Sequence, residues 1–160
     1  MSRRRFVEQE RRLGAELIAK FRGTASVPIE ALDFPFKKLR EEDEKNTERL
    51  ASSFRKEKGC RDWEIFNHVP AVVAQQDLDA ALARSGISPE QLLEARDGHL
   101  ELDFPAGFRL SCLRGRHRVL AAKNVLPPGG RRWTVDLFLS GMITLPLRLG
   151  IVLTRIARSR

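Results

Sequence analysis

Between Phe108 and Val125 the hydrophobic pattern changes from a period of two to a helical period across a single glycine. Phe108, Leu110 and Cys112 alternate with Arg109 and Ser111, as in a strand with one buried face. The run continues through Leu113-Arg114-Gly115 into a predicted helix over 116–125, which Pro127-Pro128 stops. A helix entered this way lies beside the sheet its strand belongs to. Ala121 and Ala122 are small enough to let it lie close.

The remaining patterns agree with a mixed fold. A charged amphipathic helix is predicted over 5–22, with Leu13, Leu17, Ile18 and Phe21 at helical spacing and Gly23 expected to end it. Val27, Ile29 and Leu32 predict a short strand or extended edge over 26–34, and 35–40 a basic loop. A second helix is predicted over 42–58, with Thr47, Leu50, Ala51 and Phe54 on one face, Gly59 past its end and Glu41–Glu44 forming an acidic start. The β-branched run 69–74 predicts a strand. Asp77 is expected to cap a short helix that ends before Gly86, and Ser88-Pro89-Glu90-Gln91 is a capping box opening the next. Trp133, Val135, Leu137 and Leu139 alternate with Thr134, Asp136 and Phe138 in a last strand. The expected class is α+β, a small mixed sheet with flanking helices, with no internal repeat.

Charge locates the first functional hint. The 160 residues carry 29 Lys and Arg against 21 Asp and Glu, a net +8. Residues 1–22 hold +4 of this and 141–160 another +4, so the middle is neutral overall. Within that middle, 109–132 hold seven basic residues and no acid: Arg109, Arg114, Arg116, Arg118, Lys123, Arg131 and Arg132. A basic stripe on a neutral domain suggests an anionic partner bound at one place. Collagenous and disulfide-rich classes are excluded. So is a membrane span in the apolar tail, which Arg148 and Arg155 interrupt. With two cysteines, Cys60 and Cys112, and no apolar run after Met-Ser-Arg-Arg-Arg-Phe, the chain is expected inside the cell, nuclear or cytoplasmic.

The stripe and the strand–helix turn coincide. The first turn of a helix presents backbone N–H groups and the positive end of the helix dipole, so it favours phosphate. Arg116, His117 and Arg118 crowd that end, where cations disfavour the helix itself. A site that holds an anion tolerates that conflict. Two readings stay open from the residues alone: anion binding, or a solvated stripe paired with acids elsewhere.

The segment Gly115-Arg116-His117-Arg118, followed by Ala121-Ala122, resembles the glycine–arginine box of the ParB/sulfiredoxin superfamily. Val27–Leu32, Asn46–Gly59, Val69–Val73 and Trp133–Leu137 follow that superfamily's order of elements. More narrowly, Gly59-Cys60, Asn67–Ala71, Leu113–Arg118, Leu126–Gly129 and Arg132–Leu137 are similar to a fungal family, domain of unknown function 3723. The resemblance covers 27–140. It implies a nucleotide cradle for CTP or ATP, with or without Mg²⁺, in which Gly115 makes the turn and Arg114, Arg116, His117 and Arg118 meet the phosphates. It also implies a DNA-associated setting. Sulfiredoxin chemistry needs a cysteine where Arg116 stands, so thiol repair is not expected. ParB proteins carry a helix-turn-helix part after this domain, and none is legible in the last 20 residues.

Elsewhere the residues read as structural. The cysteines and three histidines lack metal-ligand spacing, so no metal site is predicted. Cys112 and His68 are expected to be structural, Trp63 and Trp133 core or half-buried, and Glu101 and Asp103 an exposed strand face. Arg3, Arg4 and Arg5, with Arg131 and Arg132, are candidate nucleic-acid contacts. The expected organisation is a basic helix (1–23), a ParB/sulfiredoxin-like domain (24–140) and a basic apolar tail (141–160) that is disordered, truncated or non-native. The leading expectation is a nucleoside-triphosphate-binding domain in nucleic-acid transactions. The alternatives are phosphotransfer or nuclease chemistry at the same cradle, or a ligand-free domain that serves as a partner surface. No protein partner is legible.

Overall fold

The computed structural model describes residues 3–35, 41–95 and 99–140. Helix α1 (Arg3–Lys20) leads into strand β1 (Phe21–Pro28), a 3-10 turn (Ile29–Ala31) and β2 (Leu32–Asp33). Then come α2 (Glu41–Lys56), a 3-10 turn (Ile65–Asn67), β3 (Val69–Val73), α3 (Gln75–Ser85) and α4 (Pro89–Glu94). Strand β4 (Leu110–Cys112), α5 (Arg116–Val125) and β5 (Arg132–Leu139) complete the order.

The five strands form one sheet in the order β1-β5-β3-β4-β2. β1 runs antiparallel to β5, β5 parallel to β3, β3 antiparallel to β4, and β4 parallel to β2. This is the α+β mixed sheet with flanking helices that the sequence leads one to expect.

Register and alternation give the sheet two unlike faces. Ala25, Val27, Trp133, Val135, Leu137, Val69, Ala71, Leu110 and Cys112 share the buried apolar face. Helices α2 and α5 pack together and join that core through Ala51, Phe54, Val119, Ala121 and Ala122. The Phe54 and Trp133 rings meet with centroids 6.2 Å apart. The opposite face is polar near its middle: Thr24 pairs with Asp136, and Ser26 with Thr134. All three hydroxyl side chains are buried, and each is hydrogen-bonded.

Gly23 does not end the first helix. It lies inside β1, because pairing with β5 draws Phe21 and Arg22 into the sheet. Its φ is +139°, and a Cβ there would run into the Leu92 carbonyl. The glycine lets α4 rest directly on the strand. The capping box forms as read: Ser88 Oγ accepts from the Gln91 amide, and Gln91 Oε1 accepts from the Ser88 amide. Asp77 stands in the first turn of α3 rather than at its cap, which is Ala74. Glu101 makes a single parallel bridge to Ser26 along the edge of β1, and Asp103 pairs with Arg132 at 3.2 Å. Most of the basic loop 35–40 and the whole tail 141–160 lie outside the described residues.

Candidate functional site

β4 hands over to α5 in three residues. The Leu113 amide donates to the Pro70 carbonyl at 2.9 Å, which holds the chain to β3 up to the turn. Gly115 then adopts the left-handed conformation, φ +94° and ψ +11°, as the N-cap of α5. A Cβ at this position would lie 2.7 Å from Val69 Cγ2, a branch of a fully buried strand residue with no room to retreat. Conformation and space therefore both require glycine here. As glycine, the cap has no side chain of its own to cover the helix end, and the first turn carries no acid. The first bond of α5 runs from the Val119 amide to the Gly115 carbonyl at 3.1 Å, so the amides of the turn before it point out of the end.

The arginines of this turn differ in surroundings. Arg118 donates to the Phe66 carbonyl at 2.9 Å and so ties α5 to the loop before β3. Burial lowers the Arg114 pKa, and the charge of Arg118 lowers it further, while Asp136 opposes both. Arg114, Arg118 and Asp136 thus share one electrostatic neighbourhood. Arg116, His117 and Arg118 are all partly exposed.

Asp136 also anchors a buried polar group that sequence reading left unconnected. Its Oδ1 accepts from Thr24 Oγ1 at 2.6 Å and lies 3.1 Å from His68 Nδ1. His68 Nε2 lies 2.9 Å from the Trp63 carbonyl. Both ring nitrogens therefore face acceptors, which only an imidazolium can satisfy by donating twice. Burial acts to lower the His68 pKa, but the hydrogen bond and charge of Asp136, the Trp63 carbonyl and the charge of Asp62 outweigh it, so the net shift is upward. The sequence signal was slight: a histidine directly before a strand and one acid in an alternating strand.

The other candidates stand on different elements. Arg3, Arg4 and Arg5 form the first turn of α1, where Arg4 and Arg5 are exposed. Arg131 Nε donates to the Leu126 carbonyl, and Arg132 is held by Ser26, Leu102 and Asp103. Trp133 is fully buried, whereas Trp63 is 55% exposed. Its loop turns its carbonyls inward to His68 and Arg118, which sends the ring outward. Burial pushes the Cys112 thiol up to about 12 and the Cys60 thiol up to about 11, so neither is a ready nucleophile. Among the described residues no three His, Cys, Asp or Glu side chains gather where they could hold a metal ion, and no helix is long and apolar enough to cross a membrane. A cavity of about 220 Å³, floored by Leu78, Leu82 and Leu92 and rimmed by Arg22 and Asp79, shares no residue with this turn.

The family described as "Protein of unknown function (DUF3723) N-terminal domain" matches over residues 20–152. No curated protein matches the chain. Among solved structures, the C-terminally truncated chromosome-partitioning protein ParB from Caulobacter crescentus, complexed with CTP-gamma-S, is 17% identical with a TM-score of 0.39. That likeness covers 81% of this chain and 51% of the other, so this chain spans about half the length of the protein it matches.

Proposed function

The chain belongs to the DUF3723 family, whose N-terminal domain it matches, and from the geometry of its strand–helix turn we infer that it binds the phosphates of a nucleotide, CTP or ATP, at Gly115–Arg118. The observation that carries this reading is the Gly115 turn. Glycine is required there twice over, the α5 end is left without a side-chain cap, and the first turn is cationic with no acid. A helix end built this way is stabilised by a bound anion, through both its amides and its dipole. Phosphate contacts would come from the amides of 116–118 and the guanidiniums of Arg116 and Arg118, with Arg114 contributing charge from behind. The resemblance of this segment to the ParB/sulfiredoxin box supports the same ligand and a setting in nucleic-acid transactions, inside the cell.

The residues fit the phosphates. Mg²⁺, where it accompanies the nucleotide, would neutralise phosphate charge. Calorimetric titration with CTP and ATP, each with and without Mg²⁺, tests the reading. The expected result is saturable binding that weakens about tenfold or more in Arg118→Ala, the loss of one charge-assisted contact. Absence of binding by either nucleotide at millimolar concentration would overturn it.

A further inference from the structure

The segment between α2 and β3 shows its apolar side chains to solvent. Trp63 and Phe66 are each 55% exposed and Ile65 is 37% exposed, three of the six large exposed hydrophobics among the described residues. Their backbone is nevertheless tied down. The Trp63 carbonyl accepts from buried His68, the Phe66 carbonyl from Arg118 and the Asn67 carbonyl from Trp133 Nε1, each at 2.9 Å. Asn67 Nδ2 closes the turn on the Arg61 carbonyl at 3.0 Å. A connection needs no exposed aromatics, and a slack one would not hold them in place. Here the main chain is fixed from below and the rings stand outside.

What the rings face follows from the charges around them. The Arg118 guanidinium lies 2.9 Å from the Phe66 carbonyl, so the main chain that carries the Phe66 ring is tied directly to the cationic turn of α5. The loop's own acids are engaged: Asp62 accepts from Thr134 at 2.7 Å, and Glu64 sits 3.5 Å from Arg61. Exposed rings beside fixed arginines suit a ligand that carries a flat π face and a phosphate within one unit. An unpaired nucleotide does, and every base offers such a face. A double helix does not, because its base faces are already stacked.

We propose that Trp63 and Phe66 form a stacking platform for an unpaired nucleobase whose phosphate lies at the start of α5. The ligand class is a free nucleotide or a single strand of nucleic acid, which share this chemistry. The platform extends the phosphate-binding reading above and rests on it for the position of the charge.

The two tryptophans make the test direct, since Trp133 is fully buried and Trp63 is exposed. Fluorescence of the full chain is followed during titration with tripolyphosphate, CTP, ATP, oligothymidylate and a duplex. The expected result is quenching of the exposed component by base-bearing unpaired ligands and none by tripolyphosphate. Saturation by mononucleotide assigns a free nucleotide, and saturation by the oligomer alone assigns a strand. Trp63→Ala with Phe66→Ala should weaken these ligands about ten- to a hundredfold while tripolyphosphate affinity holds. Trp63→Phe should keep most of the affinity and lose the quenching. Unchanged Trp63 emission at saturation, an unaltered affinity in the double variant, or equal binding of duplex and single strand would each overturn the platform. Quenching that persists while tripolyphosphate fails to bind and Arg118→Ala has no effect keeps the platform and removes the phosphate reading.

Discussion

Replacing Gly115 with alanine makes two demands at once. The backbone must keep φ near +94°, and the new methyl must share space with Val69 Cγ2 at 2.7 Å. Left-handed backbone alone costs an L-residue about 1–2 kcal/mol, so Gly115→Ala should lower stability by about 2 kcal/mol or more in urea unfolding. Val69→Ala makes room for the methyl but leaves the φ unchanged. The double variant should therefore lose less than the sum of the two singles, a coupling that strain without steric conflict does not produce. His68 offers a second residue-level test, because its net pKa shift is upward from 6.5. A group whose folded pKa is raised contributes stability that is fully present below its unfolded pKa and is lost as pH rises through the folded one. Unfolding midpoints should thus fall as pH climbs through and above 6.5, and His68→Gln or Asp136→Asn should flatten that slope. A slope that survives both changes would assign the pH response to other groups.

Where short-range chemistry decides an element, the residues announce it. Ser88 and Gln91 spell out their reciprocal hydrogen bonds, and the Gly115 turn with its helix to Val125 follows from pattern and punctuation. Ser88→Ala should cost about 1 kcal/mol and leave ligand binding unchanged, a useful control because α4 shares no residue with the α5 turn. What the local pattern misses are decisions taken by distant partners. Gly23 reads as a helix stop, but β5 recruits its neighbours into a strand and α4 needs the space a side chain would fill. Trp63 reads as core or half-buried packing, and the structure leaves it 55% exposed. Its exposure goes with three captured carbonyls: one is held by His68, directly after the loop, and two by Arg118 and Trp133, which are 52 and 66 residues away from the residues they hold. The candidate site was legible in part for the same reason. Gly115 to Arg118 are contiguous, whereas His68, Asp136 and Thr24 meet only when β1, β3 and β5 align.

Over the whole chain, the net +8 is an ambiguous quantity, since basic ends and a basic site both attract nucleic acid. The fold separates them. Arg3 to Arg5 open α1, whereas Arg116 and Arg118 open α5, where Arg118 donates to the Phe66 carbonyl. Arg132, which the charge stripe includes, is engaged with Ser26 and Asp103, so the stripe as a linear feature overstates the charge available to a ligand. Counterion release makes this measurable: for single strands, log affinity falls against log salt with a slope of about 0.7 per phosphate neutralised. Arg118→Ala should reduce the magnitude of that slope for oligothymidylate by about 0.7 and weaken the Trp63 response with it. Neutralising Arg3, Arg4 and Arg5 together should at most lower the slope and leave the amplitude of Trp63 quenching at saturation intact. If the arginines of α1 control the quenching and those of α5 do not, the phosphate lies away from Gly115, and the strand–helix turn is a packing device alone.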